Sequence, residues 1–223
     1  MPQAETITYG SEAVKANTRV SRWVRCAATT GGQVAVVYDR SGTAYTALGN
    51  ISGTAFTWAT SDVSTMTVDT DSWDFCYDTT ANKVVFFAAD GGNGYYPSYR
   101  VGTISGTGTG ASVSWSTATV VESGSRFYER IVYIPVSNSY AVWYRTASNT
   151  YQVLGATLSG TTLTFPLAAK VMTSVSGTYM PAVAANTTQS SANVAAFVHN
   201  LANNITYGAS FTPTYTSTNV SSF

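Results

Sequence analysis

Charge is what this sequence has least of: 11 basic and 11 acidic side chains among 223 residues, 10% in all, with a formal net charge of zero. Nucleic-acid binding depends on neutralising phosphates with Lys and Arg, so no nucleic-acid partner is expected. Histidine occurs once, as His199, and cysteine twice, as Cys26 and Cys76. Two cysteines are too few for a disulfide scaffold, and two buried free thiols are the expectation. With one histidine there is no Ser-His-Asp order and no metal-ligand cluster; no phosphate-cradling glycine motif stands in their place. No cofactor, no metal and no enzymatic activity are therefore expected. No apolar run is long enough for a membrane-spanning helix, so no membrane partner is expected. The segment Met1–Thr6 has neither the basic nor the apolar region of a secretory signal.

What remains is apolar and aromatic: 44% hydrophobic and 13% aromatic residues, set among Ser, Thr, Gly and Asn, with little Leu, Glu or Lys. That composition excludes disorder and favours strands joined by turns over helices. Trp23 to Ala28 reads as a strand, Thr29-Thr30-Gly31-Gly32 as a turn, and Gln33 to Tyr38 as the return strand. Asp39-Arg40-Ser41-Gly42 then turns into Ala44 to Ile51, and Ser52-Gly53-Thr54 into Ala55 to Trp58.

The same order recurs. Trp73 to Tyr77 matches Trp23 to Ala27 at an offset of 50, which superposes Cys76 on Cys26 and Val84 on Val34. A third-strand glycine falls at Gly49, Gly102, Gly155 and Gly208, each step 53 residues. An apolar, a hydroxyl and an aromatic residue recur as Ile7-Thr8-Tyr9, Phe56-Thr57-Trp58, Val113-Ser114-Trp115 and Leu163-Thr164-Phe165, followed by Val14, Val63, Val120 and Val171.

Four-stranded repeats of this length are what the blades of a β-propeller look like. The expected fold is an all-β, four-bladed propeller forming a single domain over 1–223. Its blades lie at about 19–66, 67–123, 124–173 and 174–211, with a C-terminal tail at 212–223. The tail shows no clear copy of the fourth-strand pattern, and Pro213 disfavours a paired central strand there. The N-terminal strand, residues 5–16, supplies the missing copy and is expected to close the last blade, which removes an open sheet edge. Two alternatives stay open. Each N-terminal strand could complete a neighbour's blade in a homo-oligomer, or residues 212–223 could form their own fourth strand.

In such a fold the loops from strand four to the next strand one, and from strand two to three, gather on one face. Those loops carry the candidate ligand-binding residues Trp23, Trp73, Tyr95, Tyr96, Arg126, Tyr128, Tyr179 and His199, the last as a lone imidazole in a turn. Aromatic rings with a few Arg and Asp partners suit a sugar, since rings stack on its C–H faces while polar groups fix its hydroxyls. The plainer reading, preferred for the strand-borne tryptophans, is that they are wedges between blades. Asp69-Thr70-Asp71 and Asp90-Gly91-Gly92-Asn93 lack the full ligand spacing of a calcium loop and read as turn formers. Paired carboxylates for sugar hydrolysis would have to come from Asp69, Asp71, Asp90 and Glu129.

The stretch Tyr77-Asp78-Thr79-Thr80-Ala81-Asn82-Lys83-Val84-Val85-Phe86-Phe87, followed by Asp90-Gly91-Gly92-Asn93 and Val101-Gly102-Thr103-Ile104-Ser105-Gly106, resembles propeller repeats of bacteriophage tail-fibre and other virion proteins. The ending Ala209 to Asn219 resembles the exit from that array in longer fibre proteins. The resemblance implies a non-enzymatic structural or adhesion protein, located in the virion, with other virion proteins and a host cell-surface glycan as partners. The chain starts within a blade and carries no shaft or trimerisation segment, which implies a small accessory virion protein rather than a complete fibre. A free lectin-like propeller is the alternative, and a glycosidase-like enzyme the third.

Overall fold

The computed structural model describes residues 23–59, 62–166, 170–174, 181–185, 194–200, 205–213 and 218–222; for Thr70, Asp71 and the strands beyond residue 169, apart from Ala182, Ala184 and Ala185, it describes the backbone alone. Every sheet is antiparallel and no α-helix occurs among these residues. The first unit comprises β1 (Val24–Ala28), β2 (Gln33–Arg40), β3 (Thr43–Ser52), β4 (Ala55–Trp58) and the start of β5 (Val63–Asp78). The rest of β5 opens the second unit, which continues through β6 (Lys83–Asp90), β7 (Tyr96–Ser105), β8 (Ser112–Trp115) and β9 (Thr119–Val120). Because β5 serves both, the two units form one continuous nine-stranded sheet. A five-stranded sheet follows: β10 (Arg126–Ile134), β11 (Ser139–Thr146), β12 (Thr150–Ser159), β13 (Thr162–Thr164) and β14 (Lys170–Ser174). The last sheet has four strands, β15 (Pro181–Ala185), β16 (Val194–Asn200), β17 (Ile205–Pro213) and β18 (Thr218–Ser222).

Successive units stack through their apolar faces. Ala35, Val37 and Leu48 of the first unit meet Trp73, Phe75, Val84 and Phe86 of the second in one core. Cys76, Val85, Phe87 and Tyr99 of the second meet Ile131, Tyr140, Val142 and Tyr144 of the third in another. Alternation along β6 therefore sends Val84 and Phe86 to one core and Val85 and Phe87 to the other, all four fully buried. Each such phenylalanine is worth roughly 1.5–3 kcal/mol of burial. The first strands lie side by side in series, β1 against β5, β5 against β10 and β10 against β15.

The turns between first and second strands are stitched by tyrosines. Tyr77 Oη donates to Asn82 Oδ1 at 2.8 Å and lies 3.0 Å from Thr30 Oγ1 of the preceding unit. Tyr133 repeats the device one unit on, with Asn138 Oδ1 at 2.9 Å and Thr80 Oγ1 at 2.7 Å. Asn82 and Asn138 are both left-handed, at φ 54° and 47°, a conformation that asparagine tolerates better than most residues.

Register corrects several expectations. Val34 pairs with Ala28 and Val84 with Tyr77, so Cys76 corresponds to Ala27 and not to Cys26. A one-residue shift reverses the face: Cys76 is buried and Cys26 exposed, both free thiols, so the expectation of two buried thiols fails at Cys26. The glycine series changes face too. Gly49 pairs with Trp58 and Gly102 with Trp115. In the third unit Leu158 pairs with Leu163 as Ile104 does with Val113, which puts Ala156 in the place of Gly102 and Gly155 on the other face.

The fourth strand is not continuous in the first three units. It pairs first with the C-terminal part of the third strand, steps out, and returns to its N-terminal part, as β4 then β5, β8 then β9, and β13 then β14. In the second unit the step is fixed by Ser116, whose amide donates to the Val101 carbonyl at 2.9 Å while its Oγ accepts the Val101 amide at 3.0 Å. The tail, which showed no clear fourth-strand pattern, contains β18, the second of the alternatives left open: Val220 stands opposite Phe211, and Pro213 ends β17 opposite Thr218. A terminal position spares proline the loss of a central ladder bond. β18 fills the place of β4, β8 and β13, and among the described residues Ile205–Gly208 has no counterpart of β9 or β14 beside it. The N-terminal strand, 5–16, lies outside the described residues.

Candidate functional site

The loops that precede each first strand and join the second strand to the third lie at one end of the sheets. The best defined of them is the β6–β7 connection. Asp90 caps it, its Oδ1 accepting the Gly92 amide at 2.9 Å and its Oδ2 the Asn93 side-chain amide at 2.5 Å. Asp90-Gly91-Gly92-Asn93 is thus a turn former, as its spacing implied. Tyr95 follows with φ 61°, an uncommon backbone for a residue with a bulky side chain. It is pinned on both sides: its amide donates to the Asp90 carbonyl at 2.8 Å, and its carbonyl accepts the Arg126 amide at 3.1 Å. Ser125 Oγ adds a bond to the Gly94 carbonyl at 3.2 Å. The ring is nonetheless 47% exposed, and Tyr96 beside it is half-buried.

Arg126 adjoins this tip. Its Nε and Nη2 both reach Glu122 Oε1, each at 2.7 Å, and its guanidinium lies 5.7 Å from the Tyr144 ring centroid. Burial and then Glu122 hold the Tyr144 phenol well above the usual range. One strand further, Arg145 lies 4.8 Å from the Tyr128 ring and 5.2 Å from Phe127, spanning both rings. Tyr128 has φ 59° because β10 bulges between Phe127 and Arg130. Its amide reaches across to Ser72 Oγ at 3.1 Å, where β5 is also irregular, between Val68 and Trp73.

Of the predicted residues, Tyr95, Tyr96, Arg126 and Tyr128 thus share this end of the second and third units. Trp73 does not present itself to a ligand: it is 3% exposed and stacks on Phe86 at 5.9 Å, the wedge that the plainer reading favoured. Trp23 is half-buried against the same core, with the Arg25 guanidinium 5.7 Å from its ring. His199 stands within β16 opposite Thr206, in a strand and not in a turn. Tyr179 lies outside the described residues.

Sequence reasoning passed over a line of charge on the first strands. Register puts Arg25, Asp74 and Arg130 at equivalent positions of three successive units, with Arg25 Nε 3.5 Å from Asp74 Oδ1. Burial raises the Asp74 carboxyl, and Arg130 and Arg25 pull it back. The signal was available, as a charged residue inside an apolar strand in each of the first three repeats. Below this line an open cavity of about 390 Å³ lies between the first strands, lined by Ala28, Asp74, Cys76, Tyr77, Ile131 and Tyr133 among others. Among the described residues no group of three or more His, Cys, Asp or Glu gathers. No family model matches the chain, and no curated protein is similar to it.

Proposed function

We propose that this chain is a non-enzymatic structural and adhesion protein of a phage particle, a four-bladed propeller that presents the Tyr95 end of its second and third units to a host-surface glycan. The observation that carries the adhesive role is Tyr95. An exposed ring on a left-handed residue, its amide bonded to its own loop and its carbonyl to the next unit, with Ser125 holding the preceding Gly94 carbonyl, is a preorganised stacking platform. Strain of this kind persists only where the surroundings over-determine it. The Glu122–Arg126 pair beside it offers acceptors and donors to sugar hydroxyls.

The propeller reading rests on the serial contact of first strands and on the interleaved cores. In a closed ring the fourth unit covers the open face of the first, and the N-terminal strand joins the edge of β17 at Ile205–Gly208, the half that β18 leaves free. The virion location rests on the resemblance of the repeat. Copurification with particles in fixed copy number tests that location. A glycan array tests the adhesive role: Tyr95→Ala is expected to lower retained binding at least tenfold with an unchanged melting temperature. Equal binding by the variant removes Tyr95 from the site.

A further inference from the structure

The segment 121–126 runs alongside the Tyr95 loop and is fastened to it at both ends. The Val121 amide donates to the Pro97 carbonyl at 2.8 Å, the Arg126 amide to the Tyr95 carbonyl at 3.1 Å, and Ser125 Oγ to the Gly94 carbonyl at 3.2 Å. Its two charged side chains, Glu122 and Arg126, therefore belong to the same tip as Tyr95. How Arg126 is used decides what that tip can take. A guanidinium recognises a carboxylate through two parallel N–H donors. Here that fork is filled from within the loop, since Nε and Nη2 both reach Glu122 Oε1 at 2.7 Å. Nη1 donates to the Ser125 carbonyl at 3.1 Å, and the Tyr144 ring lies 5.7 Å away. Gly124 leaves room for this arrangement, because a Cβ there would stand 2.8 Å from Nη1. The Glu122 side chain is 33% exposed and that of Arg126 16%, so the acid faces solvent more than the base. Asp90, whose two oxygens cap the loop, adds a second carboxylate. Two carboxylates against one guanidinium leave the tip with net negative charge.

We propose that this tip selects neutral sugars, hexose units with adjacent free hydroxyls, and rejects glycans that end in a sialic or uronic acid. The inference rests on the adhesive reading of the Tyr95 end and narrows it. A carboxylate has about four acceptor sites, and Arg126 takes two of those on Glu122, so Glu122 still accepts from hydroxyls. Each Nη of Arg126 keeps a second N–H to donate. Adjacent hydroxyls of a hexose match such a pair, one donating to the carboxylate and one accepting from the guanidinium, while a C–H face lies on the Tyr95 ring. A sugar carboxylate has no proton to give Glu122, finds the guanidinium fork occupied and meets like charge. Arg145, the next cation along this end, is engaged with the rings of Phe127 and Tyr128.

An array of paired probes tests this, each pair a neutral glycan and the same glycan capped with a sialic or uronic acid. On the unmodified full-length protein, the neutral member of a pair should be retained at least tenfold better than the acidic one. Glu122→Gln releases the guanidinium fork and removes one negative charge. It should lower that ratio at least tenfold, mainly by gain of the acidic probes. Preference of the unmodified protein for the acidic members overturns the selectivity and leaves the adhesive role standing, a readout that holds even if the variant does not fold. A ratio that a folded Glu122→Gln leaves unchanged overturns it too. If the unmodified protein retains no probe at all, the adhesive reading of this end fails, and the selectivity with it.

Discussion

β2 and β6 occupy equivalent places in successive units, yet they live in different surroundings. β6 is buried from Val84 to Asp90, with apolar cores on both faces. β2 buries Ala35 and Val37 on the side of the second unit but leaves Val34 and Val36 half-covered on the other. That open face continues through Val24, 55% exposed, and Ile51, 49% exposed, past Cys26 and the edge-on pair Phe56–Trp58. The homologous face of the second unit packs on the first, and that of the third on the second. An apolar face of this kind without a cover is unusual for a stable protein. The difference teaches that the repeat was built for a neighbour on each side.

The largest test of that comparison is truncation of matched core residues. Phe86→Ala, at the place of Val36, removes a fully buried ring from between the first and second units and should cost about 3–5 kcal/mol, read as a shift of the urea midpoint. Val36→Ala, on the open face, should cost less than about 1 kcal/mol if that face stays open. A loss near 2 kcal/mol at Val36 would mean that the fourth unit covers it.

Next in size is the pH dependence of the two seams. Burial pushes the Glu129 carboxyl from 4.5 up to about 8, so the folded chain binds one more proton than the unfolded chain between those values. Stability is therefore fully present below about pH 4.5 and is lost as pH rises toward 8. Asp74, raised by burial, adds in the same direction. Melting curves should fall steadily from pH 5 to 8, and Glu129→Gln should flatten most of the slope. An equal slope in both proteins would remove Glu129 as its source.

Smaller effects come from the paired glycines. A Cβ on Gly102 would meet Val113 at 2.8 Å and Trp115 at 3.0 Å inside a packed core, so Gly102→Ala should cost about 1–3 kcal/mol. On Gly49 it would meet the tip of the Phe56 ring at 2.1 Å, but that ring is half-buried and can swing outward. Gly49→Ala should cost visibly less by chemical denaturation; an equal cost would show that Phe56 is also held in place.

Strand identity was legible in the sequence because each strand carries its own alternation and each turn its own Gly, Asn or Asp. β4, β15 and most of β6 run where the pattern puts them. Facing was not legible. A 53-residue step between glycines looks perfect, yet Ala156 holds the place of Gly102, because one added residue reverses every side chain that follows. β18 was the open alternative and not the favoured reading for a related reason: Val220-Ser221-Ser222 keeps the apolar and hydroxyl positions of Val113-Ser114-Trp115 but not the aromatic. The candidate site divided in the same way. Tyr95 could be read from a glycine-rich turn, a local signal. Asp69-Thr70-Asp71, read as a turn, runs instead in the irregular stretch of β5 between Val68 and Trp73, because that strand continues from one unit into the next.

The finest probe of the open face is Cys26 itself. It stands exposed on β1 opposite Val36, while Cys76 is buried and burial raises its thiol well above the usual range. Alkylation needs an accessible thiolate, so Cys76 should react only through unfolding. Cys26 then reports on the cover alone. A ring closed by the fourth unit should slow its labelling at least tenfold relative to the urea-unfolded chain, with one residue modified by mass spectrometry before any second. Labelling at the unfolded rate would mean that the face is open in the free protein, and closure would then have to come from another chain. Protection that vanishes on dilution would identify that chain as a second copy, whereas protection independent of concentration belongs to the fourth unit of the same molecule.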